Sequence, residues 1–209
     1  MKRGVHVKIK EKITFNNSMI PDLLGRFQIE VDSIAIAEQI KNAIDAKARK
    51  IDIDFSKYNL DVITINDDGI GMNSNDIKNN YLHIGTDFKT NYMEAQGGKG
   101  IGRCTLFRLA SRIEIVTKAE GSPAFKFILD EDEISNSDPK TGCEISIEQI
   151  ESTFERGTHI KLTGLREIEF GEIEENLTNL LNPLKDKKQI KINVKYPESH
   201  TKNNNISVT

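Results

Sequence analysis

Period-two alternation is the feature that most limits what this chain can fold into. Ile51, Ile53 and Phe55 alternate with Asp52 and Asp54. The same spacing recurs at Ile113 and Ile115, at Phe125, Phe127 and Leu129, and at Cys143, Ile145 and Ile147. It recurs again at Ile160 and Leu162, and at Ile190, Ile192 and Val194. An apolar residue at every second position gives a strand one buried face and one wet face. Other stretches carry helical spacing. Ile36, Ile40 and Ile44 form an apolar stripe in a helix expected over 33–49, with Asp32 or Ser33 as its cap. Further helices are expected over 73–82, capped by Asn73 or Ser74, and over 102–112, with Leu106, Leu109 and Ala110 facing inward. A fourth is expected over 172–184, ending near Pro183. One-faced strands with a few amphipathic helices imply an α+β fold. The expected form is a two-layer α/β sandwich, its mostly antiparallel mixed sheet covered on one face by helices.

The bulk properties exclude several classes. A chain of 209 residues fits one domain with a real core. With 37% hydrophobic and 29% charged residues it reads as globular rather than disordered. A net charge of −3 gives no global basic field, so nucleic-acid binding by this segment alone is not supported. No apolar run approaches membrane-spanning length and no signal-peptide core opens the chain, so a cytoplasmic location without membrane contact is expected. Cys104, Cys143 and the four histidines lack metal-type spacing, and Cys104 reads as a small core residue. Residues 1–27, with a basic start, read as an arm or edge strand. Residues 28–196 form the expected domain, and 197–209 a polar, frayed tail before a further domain.

Three separated motifs carry the chemistry. The first is Glu38-Gln39-Ile40-Lys41-Asn42-Ala43-Ile44-Asp45-Ala46. On a helix Glu38, Asn42 and Asp45 share one face, away from the isoleucine stripe. Alone, they are what any solvated helix face carries. The second motif, Asp67-Asp68-Gly69-Ile70-Gly71-Met72, follows a strand-like run from Leu60 to Ile65. Alone, it is an ordinary strand-ending turn. The third, Gly97-Gly98-Lys99-Gly100-Ile101-Gly102, runs into a helix start where backbone N–H groups gather around anions. It lacks the Gly-Lys-Ser/Thr ending of a Walker A loop and the order of a dinucleotide-binding loop. Between the second and third motifs lies a polar stretch, about 73–99, which reads as a lid.

In this order, with Gly157-Thr158 downstream, the motifs resemble the GHKL ATPase superfamily: DNA gyrase B, the 90-kDa heat-shock chaperone, histidine kinases and MutL. The pattern is nearest the MORC, MutL and heat-shock-chaperone branches, and it covers about residues 28–165. The resemblance implies the Bergerat fold, with ATP and Mg²⁺ as ligands. It implies Glu38 as general base and Asn42 as the Mg²⁺ ligand, with Asp45 and Ala46 on the nucleotide side of the helix. Asp67 would accept from the adenine 6-amino group, Gly69 and Gly71 would allow close backbone approach, and Met72 would line the base pocket. Asp68 departs from the commoner asparagine. Gly97, Gly98, Lys99, Gly100, Ile101, Gly102 and Arg103 would cradle the phosphates, Lys89 would reach them from the lid, and Thr158 would support Asp67.

The function this implies is slow, Mg²⁺-dependent ATP hydrolysis used as a conformational switch, with lid closure and an ATP-dependent homodimer. Two alternatives remain. A nucleotide sensor would bind ATP without hydrolysing it alone, because related ATPases receive a Lys or Arg from a following domain or partner. A phosphotransfer module of the histidine-kinase type is opposed by Glu38, which such modules lack, and by the absence of a helix bearing a phosphoacceptor histidine.

Overall fold

Alternating isoleucines become the central strands of a ten-stranded sheet in the computed structural model, which describes residues 7–15, 32–84, 102–138, 141–181, 190–200 and 206–208. The strands are β1 (Lys8–Phe15), β2 (Lys50–Asp54), β3 (Ile63–Asp67), β4 (His83–Ile84), β5 (Ala110–Lys118), β6 (Ala124–Asp130), β7 (Cys143–Ile150), β8 (Gly157–Leu165), β9 (Lys191–Lys195) and β10 (Ile206–Val208). Their order is β10-β9-β2-β3-β8-β5-β6-β7-β1-β4. Only β1 with β4 and β2 with β9 run parallel; the other neighbours are antiparallel. The helices are α1 (Asp32–Asp45), α2 (Ser74–Asp76), α3 (Glu131–Ser135) and α4 (Phe170–Leu181). The architecture is the expected α+β sandwich with a mostly antiparallel sheet.

Register explains the core. One row across the sheet reads Ile53, Ile65, Ile160, Ile115, Phe127, all buried. Ile36, Ile40 and Ala43 of α1 and Ile173 and Leu177 of α4 join these residues in one apolar cluster. The opposite face is charged and self-paired: Lys126 meets Glu114 at 2.7 Å, Lys8 meets Glu148 at 3.1 Å, and Asn193 donates to Asp52 at 2.6 Å. No helix among the described residues is long and apolar enough to cross a membrane.

Four expectations change. Residues 102–112 do not form one helix. A 3₁₀ helix, Gly102–Arg108, ends there and Ala110 begins β5, because Ala110 pairs with Leu165 and Arg112 with Thr163. Strand β3 starts at Ile63, not Leu60. Tyr58–Leu60 is a 3₁₀ turn, Asp61 takes the left-handed conformation (φ 57°), and Leu60 is 74% exposed. The helix from Ser74 lasts one α turn and passes into a π turn, Ile77–Tyr81. Its cap is Asn73, whose side chain accepts from Asn75 and Asp76 while Asp76 accepts from the Asn73 N–H. Finally, the tail is not uniformly frayed, since β10 pairs with β9 antiparallel.

Candidate functional site

Three adjacent strands break their apolar period at the same end of the helix-covered face. Inward positions run Ile63, Ile65, Asp67 on β3; Leu162, Ile160, Thr158 on β8; and Ile113, Ile115, Thr117 on β5. Register places Asp67, Thr158 and Thr117 side by side in one row, with Ile51 and Phe125 flanking them.

Hydrogen bonds knit this row to the turn after β3. The Thr117 Oγ1 accepts from the Met72 N–H at 2.9 Å, donates to the Gly157 carbonyl at 3.1 Å, and lies 3.2 Å from the Thr158 hydroxyl. The Gly69 N–H donates to Asp67 Oδ1 at 2.8 Å. Burial pushes the Asp67 carboxyl up to about 6, against the pull of the Gly69 and Thr158 N–H groups, and the neighbouring Asp68 charge adds to the rise.

Glycine is demanded at Gly71 and Gly157 by conformation and by space. Gly71 has φ +62°, and a Cβ there would sit 1.9 Å from the Lys118 carbonyl oxygen. Gly157 has φ +123°, with the Asp67 carbonyl oxygen 2.1 Å from where its Cβ would be.

The C-terminal end of α1 closes the same corner. The Ile70 N–H donates to the Ala46 carbonyl at 2.8 Å, and a Cβ on Gly69 would press on Ala46 and on Asp67 Oδ1. Lys47, in the left-handed conformation (φ 60°), ends the helix, and Ala48 N–H returns to the Ala43 carbonyl. Asp68 turns to this junction. Its Oδ1 accepts from the Arg49 and Lys50 N–H groups at 2.7 and 2.8 Å. One oxygen takes both bonds, so the amide oxygen of an asparagine would serve equally, and the departure in the motif is structurally mild.

Along α1 the accessible stripe holds Ile34, Glu38, Lys41, Asn42 and Asp45, while Ile36, Gln39, Ile40 and Ala43 are buried. Glu38 Oε1 pairs with Lys41 Nζ at 2.7 Å. The Asn42 amide nitrogen donates to Gln39 Oε1 at 3.5 Å. At the other end of the helix, the buried Asp32 carboxylate accepts from Arg108 Nε at 2.9 Å and from the Glu169 N–H at 3.3 Å. The 3₁₀ helix that follows the third motif is thereby tied to the start of the helix that carries the first.

A family model described as histidine kinase-, DNA gyrase B-, and HSP90-like ATPase matches residues 29–159. The chain belongs to this family, the GHKL ATPases. Its match spans α1, the turn after β3 and the start of β8, so the polar row lies within a domain type that binds ATP. A search of curated proteins gives no match.

In this GHKL domain the structure brings together Ala46, Asp67, Gly69, Gly71, Met72 and Thr158, with Glu38, Asn42 and Asp45 on the adjoining helix stripe. Gly102 and Arg103 begin the 3₁₀ helix. Lys89, Gly97, Gly98, Lys99, Gly100 and Ile101 lie outside the described residues, as does the part of the expected lid, 73–99, that follows Ile84. Sequence reasoning missed Thr117. The signal was present: it is the first polar residue after Ile113 and Ile115 in an inward series, as Asp67 is after Ile63 and Ile65. Cys104 and Cys143 are buried and form no disulfide, and no cluster of three His, Cys, Asp or Glu among the described residues is placed to hold a metal.

Proposed function

We propose that this domain binds ATP with Mg²⁺ and hydrolyses it slowly, using nucleotide state as a conformational switch. The observation that carries the reading is the row Asp67, Thr158, Thr117, a polar end to an otherwise apolar sheet face, walled by Ala46, Gly69 and Gly71. A carboxylate offers about four acceptor sites, and two backbone N–H groups leave capacity for a ligand donor. Adenine presents a 6-amino donor there, where guanine presents a carbonyl oxygen, so Asp67 selects adenine. The Thr117 and Thr158 hydroxyls hold the strands and Met72 in register around it.

From Ala46 the helix runs back past Asn42 after one turn and Glu38 after two, about 12 Å in all. The phosphates extend in that direction. Glu38 takes the proton of the water that attacks the γ-phosphorus; the bond from that phosphorus to the bridging oxygen breaks, and its electron pair leaves with ADP. Asn42 suits Mg²⁺, because its amide nitrogen is engaged by Gln39 and its oxygen is a hard, neutral donor. Bound Mg²⁺, held through Asn42, would supply charge neutralisation at the phosphates. The N–H groups of Gly97, Gly98, Gly100 and Gly102, with Lys99 and Arg103, are assigned to the phosphates, and Lys89 to the lid that closes over them. Closure would pair two copies of the domain.

A sensor that binds without turnover is the second reading, favoured by the ion pair that engages Glu38. Phosphate release by the wild type, set beside that of Glu38→Gln, decides between them. The variant is expected to bind ATP as the wild type does and to release no phosphate. Wild-type turnover in that variant would remove Glu38 as the base, and no turnover in the unaltered protein would favour the sensor.

A further inference from the structure

We infer that Lys41 is a further catalytic residue: its ammonium exchanges Glu38 for the terminal phosphate of bound ATP, releasing the base and supplying a cation from within the same helix. This rests on the ATPase reading above. The pair is short, 2.7 Å from Lys41 Nζ to Glu38 Oε1. It is also accessible, with 43% of the Lys41 side chain and 24% of the Glu38 side chain exposed. Accessible pairs of this kind contribute little to stability, so breaking one is easy. Ile36, Ile40 and Ala43 anchor the opposite side of α1 in the core, which fixes Lys41 beside Glu38 and Asn42 on the accessible stripe, the one the ATPase reading assigns to the nucleotide.

Geometry then constrains the cation. A base that takes a proton from the attacking water must lie within hydrogen-bond reach of it, and that water stands about 3–3.5 Å from the phosphorus. An ammonium bonded to the same carboxylate is one side-chain swing from the γ-phosphate oxygens, and lysine has a flexible four-carbon stem. The terminal phosphate carries more negative charge than one carboxylate, and charge spreads over its oxygens as the phosphoryl transfers. The ammonium therefore moves to the phosphate, and Glu38 is left free to accept the water proton. Such a cation is what related domains draw from a following domain; Lys41 supplies it locally.

The test compares wild type, Lys41→Met and Lys41→Arg in Mg²⁺, by titration with ADP and with a non-hydrolysable ATP analogue, and then by steady-state turnover. The Met variant is expected to bind ADP as the wild type does and to lose about tenfold or more in affinity for the analogue. Its kcat is expected to fall about 100-fold, the scale of losing one charge-stabilising group. Arginine is expected to restore most of the preference for the third phosphate. An unchanged analogue-to-ADP ratio in Lys41→Met overturns the assignment, and so does a kcat that rises, since Lys41 would then only restrain Glu38. Should wild-type turnover be too slow to measure, the binding ratio alone decides. A wild type that binds neither nucleotide overturns the ATP reading itself, whereas wild-type binding with an unchanged ratio in the Met variant removes only Lys41.

Discussion

Asp67 holds its proton to about 6 in the folded chain, while an ordinary aspartate releases it near 3.8. Between those values the native state binds more protons than the unfolded state, so stability falls as pH rises through that window. Above about pH 6 the ionised carboxylate costs the fold up to about 3 kcal/mol. Asp67→Asn keeps an oxygen for the Gly69 N–H and removes the charge. We expect it to melt higher than wild type at pH 7.5, with the gap closing toward pH 4, in thermal scans across that range. The same substitution is expected to weaken ATP binding at least tenfold, since it exchanges a charged acceptor for a neutral one. A variant less stable than wild type at pH 7.5 would show that the hydrogen bonds outweigh the burial.

Gly71 offers a second residue-scale test. Its left-handed backbone and the Lys118 carbonyl 1.9 Å from a built Cβ both oppose a side chain. Gly71→Ala should destabilise by more than about 2 kcal/mol in urea titration. Gly121→Ala, at φ +70° with open space around it, is the control for strain alone and should cost about 1 kcal/mol. Equal losses at the two positions would mean that the close contact at Gly71 adds nothing.

At the scale of elements, Thr117 joins β5, β8 and the turn after β3, and Arg108 joins the 3₁₀ helix to α1. Thr117→Val keeps the shape and strands the Met72 N–H, at about 1–3 kcal/mol. It should also lower nucleotide affinity, while Thr117→Ser retains both; wild-type stability and affinity in the valine variant would contradict the assignment. Arg108→Met leaves the buried Asp32 charge with one backbone N–H. Because Arg108 is itself part-exposed, the loss is set at about 2–3 kcal/mol in denaturant titration rather than the full cost of a dry pair. These elements also mark how far the sequence could be read. Ile51 and Ile53, Ile113 and Ile115, and Ile160 and Leu162 alternate cleanly, and they are the centre of the sheet. Residues 102–112 misled because Leu106, Leu109 and Ala110 fit a helical stripe, and only the pairing of Ala110 with Leu165 shows that Ala110 belongs to a strand. Strand β10, at one edge, and strand β1, beside the short edge strand β4, gave weak signals, because strands near an edge gain their structure from a partner that local pattern does not reveal. At the site, Asp67, Gly69 and Gly71 were legible because their chemistry is local. Thr117 was not, because its role depends on the register of three strands.

At the scale of the whole molecule, one sheet face carries the core and ends in the polar row, and one helix runs from that row past Asn42 to the Glu38–Lys41 pair. In the proposed reading, this arrangement would couple the two ends of a bound nucleotide through α1. A switch built this way should populate its closed form when ATP is held and not hydrolysed. Glu38→Gln with ATP and Mg²⁺ is therefore expected to shift toward a dimer in sedimentation velocity, and ADP is expected to leave it monomeric. The most direct test of the central claim is calorimetric titration of ATP with Mg²⁺ into the wild type and into Asp67→Asn. We predict saturable binding of one nucleotide per chain that the substitution weakens at least tenfold. Equal affinity in the two proteins, or no binding by the wild type at millimolar ATP, would contradict a nucleotide pocket built on Asp67.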